Sequence, residues 1–232
     1  MALALFDLDN TLLAGDSDHL WGEFLADQGV VERDWYKSEN LRYYRAYVEG
    51  TLDIREFLNF SLKPLSEHPR ERLDAWHRRF MQEKIEPVML PAARRLIERH
   101  RDAGDRLLVI TATNAFVTRP IARAFGIDDL LATEPEIVDG RYTGRVTGIP
   151  CFQEGKVLRL QAWIRRRGES LSGSHFYSDS INDLPLLNRV EHPVIVDPDP
   201  RLHEEAVRRG WPVITLRRGP VPAPLDSDGG RG

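Results

Sequence analysis

Asp7 and Asp9 stand two residues apart at the end of the apolar run Leu3-Ala4-Leu5-Phe6. In an extended segment, positions i and i+2 share a face, so both carboxylates leave the run pointing the same way. Once the chain turns after Asp7, the second carboxylate is free to address another part of a site. A second acidic segment, Asp179-Ser180-Ile181-Asn182-Asp183, follows the run His175-Phe176-Tyr177-Ser178. Between them, Thr111-Ala112-Thr113-Asn114 closes a third apolar run, and Glu154-Gly155-Lys156 opens an amphipathic stretch. Carboxylates, hydroxyls, an amide and one ammonium are what a hard cation and a phosphate need when they are held together. The cation takes oxygen ligands, and the anion takes donors and a positive charge. Asp7 and Asp9 alone would also suit a solvated acidic loop; the ordered set of four segments argues against that.

The elements that must position these groups follow from the apolar pattern. Leu3 to Phe6 is short and uniformly apolar, which reads as a strand buried on both faces. In open parallel sheets, ligands bind outside the carboxyl ends of the strands, where these side chains lie. From Pro91 onward helix and strand alternate: helix 92–103, strand 107–111, helix 116–125, then helix 156–167, strand 176–178, helix 184–189, strand 193–196, helix 202–209 and strand 213–216. Such alternation requires a parallel sheet with crossover helices. Asp139-Gly140, flanked by two short strand-like runs, predicts a small β-hairpin. Residues 16–85 differ, with successive helical patterns and no strand-like run. The expected organisation is an α/β core of residues 1–15 and 86–216, a helical insertion of residues 16–85, and a disordered tail of residues 217–232 rich in Gly, Pro, Asp and Ser.

Composition narrows the classes of function. A chain of 232 residues can bury a sizeable core without a disulfide, and its one cysteine, Cys151, has no partner to form one. A net charge of −4 argues against nucleic acid as the natural partner. No window approaches 18 consecutive apolar residues, and no basic region precedes the first apolar run, so no membrane partner and a cytoplasmic location are expected. The sequence carries no sign of an oligomeric state.

The ordered set resembles the four motifs of the haloacid dehalogenase superfamily of phosphohydrolases. Asp7-Leu8-Asp9-Asn10-Thr11 matches the first motif, Thr111 the second, Lys156 the third, and Asp179-Ser180-Ile181-Asn182-Asp183 the fourth. The insertion between the first two motifs resembles the helical cap of the phosphoserine-phosphatase-like branch. The resemblance implies a Rossmann-like α/β fold with that cap, and Mg²⁺-dependent hydrolysis of a phosphomonoester through an aspartyl phosphate. In that mechanism Asp7 is the nucleophile. Asp9 protonates the leaving oxygen and later deprotonates water, for which its pKa should be raised. Lys156 pairs with the phosphate or with Asp7, and Thr111, Thr113 and Asn114 donate to phosphate oxygens. Asn182 is expected to orient Asp179 or touch the phosphate, with a plain helix cap as the rival role. Mg²⁺ takes Asp7, the backbone carbonyl of Asp9 and Asp179, with Asp183 as an outer or indirect ligand. Asp9 also argues against dehalogenation, because a halide leaves without a proton.

For the substrate, a small phosphorylated metabolite is expected. Nine of the chain's aromatics lie between Trp21 and Phe60. They suffice to build the core of a small cap, and some of them, with Asp16 or Glu23, could receive a cationic substrate. Phosphoserine phosphatases carry a cap arginine for the substrate carboxylate; where it is sought, this chain reads Phe57-Leu58-Asn59-Phe60-Ser61. Without it, an amino-alcohol phosphate bearing a flat ring fits better. Some members of the branch are histidinol-phosphatases, which makes histidinol phosphate the leading expectation. Phosphoserine or a range of small metabolites comes next, then phosphotransfer to an alcohol, then a non-catalytic phospho-acceptor module.

Overall fold

The computed structural model describes residues 2–225. Strand β1, Leu3–Phe6, is followed by five helices: α1 (Ser17–Asp27), α2 (Arg33–Glu49), α3 (Ile54–Ser61), α4 (Lys63–Glu67) and α5 (Arg70–Phe80). A π-helical turn, Met81–Ile85, leads to α6 (Pro91–Asp102), and the alternation then runs β2 (Arg106–Asn114), α7 (Ala115–Ala124), β3 (Asp129–Val138), β4 (Arg141–Thr147), α8 (Glu154–Arg167), β5 (His175–Ser178), α9 (Leu184–Leu187), β6 (His192–Val196), α10 (Pro200–Arg209), β7 (Val213–Thr215) and β8 (Ala223–Pro224). The sheet order is β4-β3-β2-β1-β5-β6-β7-β8, parallel from β3 to β7 and antiparallel at both edges. This is the expected α/β architecture with crossover helices.

Strand β1 lies at the middle of the sheet because its side chains can be buried on both faces. Ala4 and Phe6 join one core cluster and Leu3 and Leu5 the other, an alternation set by the pleat. Its neighbours β2 and β5 run parallel to it, so Asp7, the Thr111–Asn114 segment and Asp179 sit at one end of three adjacent strands.

The helical insertion is tied at its root. Ala14 N–H donates to Val88 O and Leu90 N–H to Leu12 O, which holds the outgoing and returning chains side by side. Side chains set the helix starts: Asp16 caps α1, Glu32 caps α2, Asp53 caps α3 and Asn114 caps α7. Trp21, Phe24 and Phe80 pack ring against ring and belong to the same core cluster as Phe6.

Two expectations are corrected. Residues 217–225 are not a disordered tail: β8 pairs antiparallel with β7, and Leu225 N–H donates to Val213 O. Pro222 precedes β8 and Pro224 lies within it, opposite Ile214; an edge strand tolerates the missing N–H. The rest of that expected tail, 226–232, lies outside the described residues. The second correction concerns β3, of which the sequence showed only the hairpin arm. The strand begins at Asp129, pairs with β2 along its first half and with β4 along its second. Asp128, Asp129, Glu134 and Pro135 interrupt the apolar run and mask its period. The hairpin turn itself has Asp139 and Gly140 both at positive φ, as a two-residue turn of that hand requires.

Candidate active site

Lys156 links two of the four strand-end carboxylates. Its Nζ lies 3.1 Å from Asp7 Oδ1 and 2.6 Å from Asp183 Oδ1, and only 1% of the residue is exposed. Asp183 also accepts from Ser178 Oγ at 2.7 Å, so both of its oxygens have partners and it stands behind the lysine. Asp7 Oδ1 accepts from the backbone of Leu8 at 2.9 Å. Asp179 Oδ1 accepts from Thr11 Oγ1 at 2.8 Å. Asp9 faces away from this cluster: one oxygen accepts from Ser17 N at 2.7 Å, the other from Thr113 Oγ1 at 2.8 Å and distantly from Thr111 Oγ1 at 3.5 Å.

The electrostatics follow from burial and crowding. Burial pushes Asp7 above the usual carboxylate range, Lys156 opposes this, and Asp183, Asp179 and Asp9 add to it. Burial, with Asp16 close by, pushes Asp9 up to about 6. Burial and the neighbouring Asp183 push Asp179 up to about 8, against the hydroxyl of Thr11. Burial would lower Lys156, but Asp183 and Asp7 more than offset it and keep it cationic. One lysine thus pairs with two of these carboxylates, while Asp179 and Asp9 rest on hydroxyl and backbone donors.

Beside this cluster a cavity of about 40 Å³ is lined by Asp7, Asp9, Asp16, Asp18, Thr111 and Thr113 on one side, and by residues of α2 and α3, among them Tyr43, Tyr44, Tyr47 and Phe57, on the other. Two bonds hold the end of α2 to the core: Asn182 Nδ2 donates to Tyr47 O at 2.9 Å and Arg201 Nη1 to Glu49 O at 2.8 Å.

The model of the haloacid dehalogenase-like hydrolases matches residues 4–188. The chain belongs to that family. It is 46% identical to a histidinol-phosphatase of Neisseria meningitidis serogroup C over 219 residues, covering 93% of this chain and 99% of that protein. A phosphoserine phosphatase of Mycobacterium tuberculosis is 30% identical over 93% of this chain and 71% of its own length. Among solved structures, a Bordetella pertussis Tohama I protein of unknown function superposes with a TM-score of 0.87 at 46% identity, covering 93% of this chain and 98% of that one. A phosphoserine phosphatase carrying an analogue of its phospho-aspartyl intermediate shares the fold, with a TM-score of 0.66 at 21% identity over 88% of this chain and 90% of that one.

Within this hydrolase, several residues sit where the sequence did not put them. Asn182 neither orients Asp179 nor lines the cavity; it bonds Tyr47 O and accepts from Gln153 Nε2 at 3.1 Å. Asn114 caps α7 through Val117 N and donates to Asp18 Oδ1 at 3.3 Å, so it supports a carboxylate rather than lining the cavity. Glu23 approaches His19 at 3.8 Å and is not part of the cavity wall. Asp18, His19 and Asn40 line the cavity unanticipated. Asp18 follows Asp16 by two residues in the first turn of α1, a spacing that could have drawn notice to it.

The donor set suits a hard cation. Among the described residues no three His, Cys, Asp or Glu side chains form a closed metal-binding group. Asp183 is committed to Lys156 and Ser178, which leaves Asp7 and Asp179, each with one oxygen outside the bonds given above. Two carboxylates match the one or two through which Mg²⁺ binds, water supplying the rest of its shell.

Lys156 is aimed by the backbone before it. A Cβ on Gly155 would lie 2.0 Å from the carbonyl oxygen of Pro150, a backbone atom that cannot swing aside. Gly155→Ala should therefore destabilise the protein by about 1–3 kcal/mol. Urea unfolding measures this, and a midpoint equal to wild type would show that the 150–155 turn yields freely.

Proposed function

We propose that this hydrolase is a Mg²⁺-dependent histidinol-phosphatase that works through a phosphoryl group carried on Asp7. One observation carries the substrate assignment. The cavity beside Asp7 bears Asp16, Asp18 and aromatic rings, and no lysine or arginine stands among its lining residues. Such a wall suits a phosphomonoester with a cationic, ring-bearing alcohol and serves a free carboxylate poorly. The 46% identity to a histidinol-phosphatase over nearly the whole of both chains supports the same reading.

In this reading Asp7 attacks phosphorus, its carboxylate forming a bond to the phosphoryl group as the bond to the alcohol oxygen breaks. Asp9 gives its proton to that oxygen, then takes one from the water that attacks the aspartyl phosphate and frees inorganic phosphate. A carboxyl pushed up to about 6 by burial suits both duties near neutral pH. Thr111 and Thr113 aim Asp9 and offer hydroxyls beside the phosphate position. Lys156 favours the charged form of Asp7 against burial and aligns it. Bound by Asp7, Asp179 and the backbone carbonyl of Asp9, Mg²⁺ would neutralise the charge of the transferring phosphoryl group.

Residues 16–85 serve as the cap. The space between α2 and the strand ends is narrow, about 40 Å³, and in this reading α2 lifts as substrate enters. The bonds from Asn182 and Arg201 to the end of α2 are the ones that would break. A buried, unpaired Cys151 fits a reducing compartment and a cytoplasmic enzyme.

The test is phosphate release from histidinol phosphate, phosphoserine and p-nitrophenyl phosphate by the wild type and Asp16→Asn. Asparagine still accepts from His19 N, so α1 keeps its cap. If Asp16 meets the substrate ammonium away from bulk water, the variant should lose about 2–5 kcal/mol of transition-state stabilisation with histidinol phosphate and far less with the neutral ester. Equal losses on all three would make Asp16 structural. A wild type inactive on histidinol phosphate would end the substrate assignment.

A further inference from the structure

Asp18 is a carboxylate in the cavity wall that the reaction as described does not use. It is 7% exposed, and among the described residues it has no ion pair. Among the described residues, its one hydrogen bond comes from Asn114 Nδ2, at 3.3 Å to Oδ1. Asp16 and Asp9 crowd it electrostatically and push its pKa further in the direction that burial already does. The amino end of α1 offers only a partial positive charge. The neighbouring imidazole of His19 supplies none: burial pushes its pKa down, and its Nδ1 is buried without a partner. The pKa of Asp18 is therefore raised and its anionic form disfavoured, and a cationic or N–H-bearing partner brought beside it would reverse that. Here the space beside it is the substrate cavity, walled by Tyr43, Tyr44 and Tyr47.

We propose that Asp18 reads a second cationic or N–H-bearing group on the substrate, so that the cavity selects phosphomonoesters carrying two such groups and repels those carrying a carboxylate. The inference rests on the histidinol-phosphatase reading and deepens it. In that substrate the α-ammonium pairs with Asp16 and the imidazole N–H with Asp18, and a carboxylate nearby would favour the ring's charged form. Phosphoserine offers one ammonium and one carboxylate. The latter would find two carboxyl groups, Asp16 and Asp18, and no lysine or arginine of the cavity wall to answer it, a built-in discrimination against it. A purely structural Asp18 would hold Asn114 and α7 in place and affect every substrate alike.

The wild type and Asp18→Asn are compared by kcat/KM on histidinol phosphate, 2,3-diaminopropyl phosphate, 2-aminopropyl phosphate, phosphoserine and p-nitrophenyl phosphate. Asparagine keeps an acceptor for Asn114 Nδ2, and thermal unfolding checks that the variant folds. The expected result is a fall of about 30-fold or more on the two doubly basic esters, mostly in KM, and less than about 3-fold on the singly basic and neutral esters. Phosphoserine should lose nothing or gain. Uniform losses across the five would overturn the proposal. So would a wild type with no preference for the diamine over the monoamine, a ratio that holds whether or not the variant folds. If the wild type prefers the diamine but leaves histidinol phosphate untouched, the substrate assignment fails while the role of Asp18 stands.

Discussion

Asp7→Asn is expected to remove phosphate release, by a factor on the order of 10⁴ or more, while leaving a folded protein. The amide is nearly isosteric with the carboxylate. Its oxygen can still accept from Leu8 N and face Lys156, the two contacts that Asp7 Oδ1 makes now. What it lacks is the anionic oxygen that would bond to phosphorus. Nor should the loss of charge weaken the fold. Asp183, Asp179 and Asp9 each repel the charge on Asp7, and Lys156 keeps Asp183 as a partner. The unfolding temperature should therefore equal or exceed that of the wild type in metal-free buffer. Two measurements decide it: phosphate release, and thermal unfolding of the same sample. Near-wild-type turnover by the folded variant would remove Asp7 from the chemistry. Loss of activity through unfolding would instead mean that the Asp7–Lys156 pair is structural.

The second large effect is removal of divalent metal. Chelation should abolish phosphate release and Mg²⁺ should restore it, because without a cation the negative charge around Asp7 and Asp179 opposes a phosphate dianion. Ca²⁺ should inhibit. Its larger, looser shell allows bidentate carboxylate binding, and an Asp7 held through both oxygens has none left to attack. Binding to the folded state alone also stabilises it: at one hundred times the dissociation constant the gain is about 2.7 kcal/mol. For a chain of this size that corresponds to a rise of roughly 5–10 °C in unfolding temperature. Asp179→Asn should shrink that rise, whether or not the variant turns over substrate. Full activity in chelator, or an equal thermal shift in wild type and Asp179→Asn, would count against the metal assignment.

That Asp7, Thr111 and Asp179 lie together was readable before any fold was known because strand ends are marked locally. An apolar run followed at once by Asp7, by Thr111 or by Asp179 contains its own position in a parallel sheet, and the right-handed crossover rule brings such ends to one edge. The same local logic marked the hairpin at Asp139-Gly140, where two positive φ angles demand those residue types. It failed at the start of β3, where four polar or imino residues hide the period, and in the 217–225 segment, where pairing to an existing edge needs little apolar content.

What tertiary structure alone decided is which polar groups face one another across long stretches of chain. Asn182 reads as a cap or a phosphate ligand, yet it meets the carbonyl of Tyr47, 135 residues away, because α2 comes down over the end of β5. Asn114 reads as a phosphate donor, yet it meets Asp18, 96 residues away, because α1 packs beside α7. Asp18 itself is an ordinary first-turn acid in sequence and becomes part of the cavity wall only when α1 and α2 close over the strand ends. The sequence by itself determined the parallel middle of the sheet and the carboxylates at its strand ends, since each is specified by the residues next to it. The lining of the substrate cavity was left to the packing of helices, whose apolar stripes say which face is buried but not which neighbour will cover it.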